Sequence, residues 1–206
     1  MANDKSSNAQ RVALVTGAAG TIGRAVIRWM IADGWRVAGI DLKQSETDLS
    51  LCLDVTERAA MIEAASQVTA KLGSIDLLVT AAGDFAKAPI GAMEPDRWQR
   101  MLDVWLGGTA NACAAVVPTM VKKGCGSVVT LSVNFSPAEP GYTYVAAASG
   151  TVVAFTKSFG CEVAPHDVRV NCIAPRLPLN PDRVAATVKF LVNDGDYYVS
   201  QVFYPC

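Results

Sequence analysis

The sequence is poor in metal-binding residues and in clustered positive charge. Its 206 residues include a single histidine, His166, and its six cysteines form no Cys-x-x-Cys pair. Because zinc sites need several histidine, cysteine or carboxylate ligands close together, we expect no metal site. The formal net charge is −1 and no long basic run occurs, so we also expect no nucleic-acid partner.

Signals for export and for membrane insertion are missing as well. The opening segment MANDKSSNAQ is polar and lacks the apolar core of a signal peptide. No unbroken apolar run reaches the ~18 residues that a membrane-spanning helix needs. Scattered cysteines are typical of reduced, mostly buried thiols. We therefore expect a cytoplasmic protein without a membrane span.

What the sequence does contain favours one globular domain. Apolar residues make up 51% of the chain and charged residues 18%, which excludes a disordered polypeptide. A chain of this length can bury a full core. It has no internal repeat and no linker, so residues 1–206 are interpreted as a single domain in which 1–10 form a polar tail.

Short apolar runs alternate with segments of helical spacing along the chain. Such alternation predicts a parallel sheet covered by helices on both faces. The predicted strands are residues 11–17, 36–42, 49–55, 74–83, 126–132, 168–175 and 200–204. The predicted helices are residues 22–33, 57–72, 95–122, 146–163 and a last helix that starts near Pro181.

A glycine-rich loop, VTGAAGTIGR at 15–24, joins the first predicted strand to the first predicted helix. The spacing of Gly17, Gly20 and Gly23 lets backbone N–H groups and the helix N-terminus face a pyrophosphate. Asp41 closes the second strand, where a carboxylate accepts hydrogen bonds from an adenosine ribose and repels a 2′-phosphate. The pattern indicates an NAD site; the alternative is that the glycines only let helix and strand pack closely.

From about residue 11 onward the chain resembles the short-chain dehydrogenase/reductase family. VTGAAGTIG resembles the family's glycine motif, LDVT at 53–56 the segment that meets the adenine, and LLVTAAG at 77–83 the Asn-Asn-Ala-Gly strand end. The resemblance implies an α/β fold with a Rossmann-like, doubly wound sheet of about seven parallel strands. It also implies an NAD site formed by Gly17, Gly20, Thr21, Ile22, Gly23, Asp41, Asp54, Val55 and Gly83.

The family's catalytic residues are absent from this chain. The resemblance implies a tyrosine that exchanges a proton with the substrate, a lysine four residues later that lowers the pKa of the tyrosine, a serine and an asparagine. The corresponding positions hold Val145, Ser149, Val133 and Trp105. We therefore expect no catalytic residue, and we expect apolar side chains to fill the vacated pocket.

An alternative register, shifted by one residue, restores a tyrosine and a serine but not the lysine. The shift brings in Tyr144 and Ser132, yet no Tyr-x-x-x-Lys occurs anywhere in the sequence. Lys157 lies about three helical turns beyond Tyr144, which is too far to activate it.

The segment that closes over substrate in the family is predicted to be deleted. After Pro175 the chain continues with Arg176 and reaches the last predicted helix within a few residues. Such lids exclude water and complete a catalytic site, so their loss agrees with the loss of the catalytic residues.

Three functions are compatible with these losses. The first is a non-catalytic subunit that associates with an active homologous subunit of an NAD-dependent dehydrogenase in a heterodimer or heterotetramer. The second is an NAD(H)-binding regulatory protein. The third is an active oxidoreductase whose chemistry is relocated to Tyr144 and Ser132. We expect NAD to be held, at most, by its adenosine end.

Overall fold

One sheet of seven parallel strands organises the computed structural model, which describes residues 10–136 and 138–205. The predicted α/β fold and its doubly wound sheet are therefore confirmed, while most of the predicted tail and Cys206 lie outside the described residues. The strands are β1 (Val12–Thr16), β2 (Arg36–Asp41), β3 (Leu49–Cys52), β4 (Ile75–Thr80), β5 (Gly126–Leu131), β6 (Val168–Ile173) and β7 (Val202–Phe203). Their order across the sheet is β3-β2-β1-β4-β5-β6-β7, so the chain reverses its winding direction between β1 and β4.

Helices pack on both faces of the sheet because the central strands are apolar on both sides. The helices are α1 (Thr21–Ala32), α2 (Arg58–Leu72), α3 (Pro95–Leu102), α4 (Thr109–Lys123), α5 (Thr143–Val163) and α6 (Pro181–Asn193). One apolar core lies between the sheet and α1 with α6, and the other between the sheet and α2, α4 and α5. The carboxyl ends of the strands meet at one edge, where ligands bind in folds of this kind.

The helix predicted over residues 95–122 is interrupted. A π-helical segment, Asp103–Gly108, separates α3 from α4 and carries Trp105. Such segments are often found at functional sites. By length and composition alone, the combined helix Pro95–Lys123 could cross a membrane, although it contains no unbroken apolar run of that length. Half of the most apolar stretch of this combined helix is buried inside the protein.

Helix α5 begins three residues earlier than the sequence predicts. It starts at Thr143 rather than Ala146. Tyr144 and Val145 therefore lie in its first turn, next to the carboxyl end of the sheet. Val145 points into the protein and is fully buried.

The connection from β6 to α6 is as short as the sequence predicts. It spans residues 174–180 and contains no secondary structure beyond a single bridge between Asn134 and Arg176. The Asn180 side chain accepts a hydrogen bond from the Arg183 N–H and so caps α6. The connection between β6 and α6 is too short to form a substrate lid.

The thiols differ from the expectation that most are buried. Cys113 and Cys172 are buried, whereas Cys52, Cys125 and Cys161 are exposed. None of these five cysteines forms a disulfide. The composition of a sequence does not reveal which end of a helix or strand faces solvent, and three of these residues lie at such ends or on an outer helix face.

The side chain of Asn171 on β6 anchors the C-terminal segment through two hydrogen bonds to its backbone. Its buried side chain donates to the Tyr198 carbonyl at 2.8 Å and accepts from the Gln201 N–H at 3.0 Å. We expect Asn171→Ala to lower the free energy of unfolding by about 1–3 kcal/mol, because it leaves two backbone groups without partners. Urea denaturation measures the loss, and hydrogen exchange should become faster in residues 198–203.

The matched control for Asn171→Ala is Asn193→Ala at the exposed end of α6. Its side chain accepts only an exposed hydrogen bond from Arg11 at 3.1 Å, so its replacement should change the free energy by less than about 0.5 kcal/mol. Equal losses in the two variants would contradict the anchoring role of Asn171.

Candidate functional site

The glycine loop lies between β1 and α1 and is in tight contact with the end of β4. Gly17 has a φ of +67°, and a Cβ added to it would lie 2.5 Å from the carbonyl carbon of Ala81. A Cβ added to Gly23 would overlap the Gly17 carbonyl oxygen. Close packing therefore accounts for these two glycines by itself, as the alternative interpretation of the loop proposed.

The same loop leads directly into the N-terminus of α1. Gly20 precedes the first turn of α1 and caps it with no side-chain hydrogen bond. The N–H groups of Thr21, Ile22 and Gly23 belong to that first turn, where an α-helix has no internal acceptors for them. The helix N-terminus therefore offers a partial positive charge that suits a phosphate.

Asp41 stands at the end of β2 beside the loop, as predicted. Its carboxylate accepts hydrogen bonds from the Ala19 N–H at 3.0 Å and from the Lys43 N–H at 3.2 Å. These bonds fix the carboxylate at the mouth of the cleft and leave it lone pairs for further donors. The hydroxyl groups of a ribose are donors of this kind.

Asp54 lies on the opposite side of the cleft, and both of its oxygens are already engaged. One accepts from the N–H and the hydroxyl of Thr56, and the other accepts from the Arg100 guanidinium at 2.7 Å. Burial raises the pKa of Asp54, but the bonds from Thr56 and Arg100 outweigh it, so the pKa lies below its ordinary value. Asp54 is thus a carboxylate anion in the wall of the cleft.

A cleft of about 380 Å³ unites these elements at the carboxyl edge of the sheet. Its volume lies near the lower end of the range for ligand pockets, roughly 300–1,000 Å³. Thr21, Ile22 and Gly23 do not line it; they form the first helical turn behind the loop. The predicted residues that line it are Gly17, Gly20, Asp41, Asp54, Val55 and Gly83.

Two arginines of α3 also line the cleft, and sequence reasoning missed them. Arg97 makes two contacts with the Asp84 carboxylate, one of them at 2.6 Å, and Arg100 bonds Asp54. The hydrogen bond to Asp84 raises the pKa of Arg97. Their spacing of three residues placed both on one helix face, but nothing in the sequence showed which face turned toward the cleft.

Apolar side chains pack together at three of the positions where the family resemblance places catalytic residues. Trp105, Val133 and Val145 belong to one buried cluster with Met101, Ala148 and Val152, as the sequence predicts. Trp105 is only 4% exposed, and its indole N–H donates to the Asp84 carbonyl at 2.8 Å. No side chain of this cluster carries a proton that titrates near neutral pH.

Tyr144 and Ser132, the residues that a register shifted by one restores, both donate hydrogen bonds to backbone carbonyls. The Tyr144 hydroxyl donates to the Ile90 carbonyl, and its ring packs on Trp98 at 5.2 Å. The buried Ser132 hydroxyl donates to the Ser149 carbonyl at 2.8 Å. Lys87 lies over the face of the Tyr142 ring at 4.9 Å and not beside Tyr144. Within residues 10–136 and 138–205, no cluster of three acidic, histidine or cysteine side chains forms a metal site.

The contact between the glycine loop and β4 can be tested with a matched pair of substitutions. Gly17 and Gly34 both have positive φ, but a Cβ at Gly34 meets nothing within 4 Å. We expect Gly34→Ala to cost about 1–2 kcal/mol of stability through backbone strain alone. Gly17→Ala should cost about 1–3 kcal/mol more, because overpacking is added to strain. Urea denaturation compares them, and equal costs would contradict the tight contact.

Comparison with known proteins agrees with this architecture. The family model for short chain dehydrogenases matches residues 11–177. A 2-dehydro-3-deoxy-L-rhamnonate dehydrogenase (NAD(+)) of Sphingomonas sp. is 36% identical over 178 residues, covering 81% of this chain and 72% of that protein. A 3-oxoacyl-(acyl-carrier-protein) reductase of Thermotoga maritima is 31% identical over 229 residues, covering 92% and 93%.

A solved structure shows the same fold. The ligand-free aldohexose dehydrogenase of Thermoplasma acidophilum superimposes with a TM-score of 0.88 at 23% identity, covering 95% of this chain and 92% of that one. The relatives named here are dehydrogenases and reductases. With the glycine loop, the sheet order and the match over residues 11–177 in agreement, the chain belongs to the short chain dehydrogenase family.

Proposed function

We propose that this protein is a non-catalytic subunit of a hetero-oligomeric, NAD-dependent alcohol or hydroxyacyl-CoA dehydrogenase. The observation that carries the proposal is the buried cluster of Trp105, Val133 and Val145, which are three of the positions where the family resemblance expects catalytic residues. A cluster without a titrating side chain has no general acid or base for hydride transfer. An active homologous subunit, in a heterodimer or heterotetramer, supplies the chemistry, and this chain stabilises it.

The proposal takes its reaction class from the relatives. The names of these relatives describe oxidoreductases, one of them NAD-dependent. Asp41 suits the ribose of NAD and not a 2′-phosphate. The arrangement resembles 2-(hydroxy(phenyl)methyl)succinyl-CoA dehydrogenase, which pairs two subunits of this family, although no residue of this chain specifies that substrate. A cytoplasmic location agrees with such an assembly.

Two apolar surfaces suit association with the active subunit. On α4 and α5, the side chains of Ala115, Val121, Phe155 and Phe159 pack on the core yet stay partly exposed, and the two phenylalanine rings stack at 5.2 Å. At the free edge of β7, an aromatic cluster remains partly exposed. It contains Phe190, Tyr198 and Phe203. Partly exposed aromatic side chains are typical of protein interfaces.

Co-expression with the homologues encoded beside it tests the subunit hypothesis. We expect a tagged chain to retain a homologue that carries an intact Tyr-x-x-x-Lys through affinity and size-exclusion chromatography. Ala154→Arg on the exposed face of α5 should abolish this association by placing an unpaired charge in the interface. Ala70→Arg on the exposed face of α2 is the matched control and should leave the complex intact.

Two outcomes would contradict the hypothesis. One is a chain that elutes as a monomer or homodimer whichever homologue is co-expressed. The other is measurable hydride transfer by the purified chain alone, lost in Tyr144→Phe, which would establish the relocated chemistry instead. The hydrogen bonds of Tyr144 and Ser132 to backbone carbonyls argue against that alternative.

A second candidate function is an adenosine-nucleotide-binding regulatory protein. The observation that favours it is the Asp41 carboxylate, held by two backbone N–H groups beside the N-terminus of α1. These groups fit the adenosine half of NAD, whereas the apolar cluster does not fit the nicotinamide half. Nucleotide binding is compatible with a role as a subunit, since the cleft and the contact helices are different surfaces.

Replacing the carboxylate at the cleft mouth tests the second candidate. We expect Asp41→Ala to weaken the binding of NAD about tenfold or more, which corresponds to ~1.4 kcal/mol, because the ribose loses its acceptor. Isothermal titration calorimetry measures the change. Asp33→Ala, at the far end of α1, is the control and should bind like the wild type. Equal binding by the wild type, Asp41→Ala and Asp33→Ala would show that the nucleotide binds outside this cleft.

A further inference from the structure

The cleft ends at β4, halfway along the carboxyl edge of the sheet. Its lining residues follow β1, β2, β3 and β4 or lie on α3 and the π-helical segment. Among these lining residues, none comes from the ends of β5 or β6, although those strands continue the same edge. A dinucleotide laid across the switch point of such a sheet needs both halves of the edge.

Asp84 is the centre of the wall that ends the cleft. Its carboxylate is held by the Arg97 guanidinium, and its carbonyl accepts from the Trp105 indole at 2.8 Å. The Phe85 ring packs edge-on against Trp105 at 5.5 Å. Asp84 is thus held at its side chain by Arg97 and at its backbone by Trp105, so this part of the wall has a defined position.

Trp105 also closes the space above Gly83. A Cβ added at Gly83 would lie 2.8 Å from the Trp105 ring, so the indole is packed directly against the backbone at the end of β4. Behind it lie Val133 and Val145, which are buried. A nicotinamide ribose placed there would lose the hydrogen bonds of its hydroxyls to water and gain none, which is costly.

The open half of the cleft has the chemistry of an adenosine phosphate site. Asp41 suits ribose hydroxyls and the N-terminus of α1 suits a phosphate. Arg97 and Arg100 line the far side, each already paired with a carboxylate of the wall, Asp84 or Asp54. We propose that the cleft is selective for adenosine phosphates such as ADP, and that the nicotinamide half of NAD adds nothing to binding. The proposal rests on nucleotide binding as the second candidate function and names its ligand.

Isothermal titration calorimetry with ADP, NAD and nicotinamide mononucleotide tests the selectivity on the wild-type chain. We expect ADP to bind at least as tightly as NAD, and nicotinamide mononucleotide to give no heat. Trp105→Leu shortens the wall and should raise the affinity for NAD relative to ADP by about tenfold. Trp98→Leu is the matched control; Trp98 packs on the same cluster but not on Gly83, and the ratio should stay at its wild-type value.

The outcomes separate this proposal from those above. NAD binding tighter than ADP, or heat from nicotinamide mononucleotide, overturns the selectivity while leaving nucleotide binding in place. No heat from any of the three overturns both the selectivity and the second candidate function, and leaves the subunit hypothesis to the co-purification result. The wild-type titration decides the question even where Trp105→Leu fails to fold.

Discussion

Burial of one indole at the carboxyl end of the sheet is the constraint on which the interpretation depends. Trp105 packs directly against Gly83, belongs to the same buried cluster as Val133 and Val145, and donates a hydrogen bond to the Asp84 carbonyl. A large apolar ring in this place adds to the close packing of the buried cluster. Enzymes tolerate poorly packed, polar reaction centres at a cost in stability. If the chain is non-catalytic, as proposed above, it is free of this constraint and can fill the space with apolar side chains.

The sequence predicted the parts of the fold that depend on local pattern. Seven apolar runs became seven strands, and the glycines at 17 and 23 lie where a side chain would overlap backbone. It did not predict the parts that depend on how distant segments meet. Arg97 and Arg100 reach Asp84 and Asp54 only because α3 turns one face toward the cleft, and helix periodicity does not fix that rotation.

The limits of prediction at the site have the same physical origin. That Val145 and Ser149 stand where the resemblance expects a tyrosine and a lysine could be read residue by residue, because such an expectation depends on the residue type at one position. The roles of Asp54, Tyr144 and Ser132 could not, since each depends on a partner supplied by another element. The start of α5 was placed too late for a related reason: the first turn of a helix on a sheet edge is set by tertiary packing more than by propensity.

Helix α4 and the adjoining π-helical segment connect the two candidate functions physically. Asn111 donates to the carbonyls of Val55 and Thr56, and a Cβ at Gly108 would lie 2.6 Å from the Val55 side chain, so this helix is fixed to the floor of the cleft. The same helix carries Ala115 and Val121 on the proposed contact surface. A ligand that shifts this helix alters association, and by linkage association then alters ligand affinity by an equal free energy. If the chain is the non-catalytic subunit proposed above, it can therefore still report the nucleotide state to its partner through this one helix.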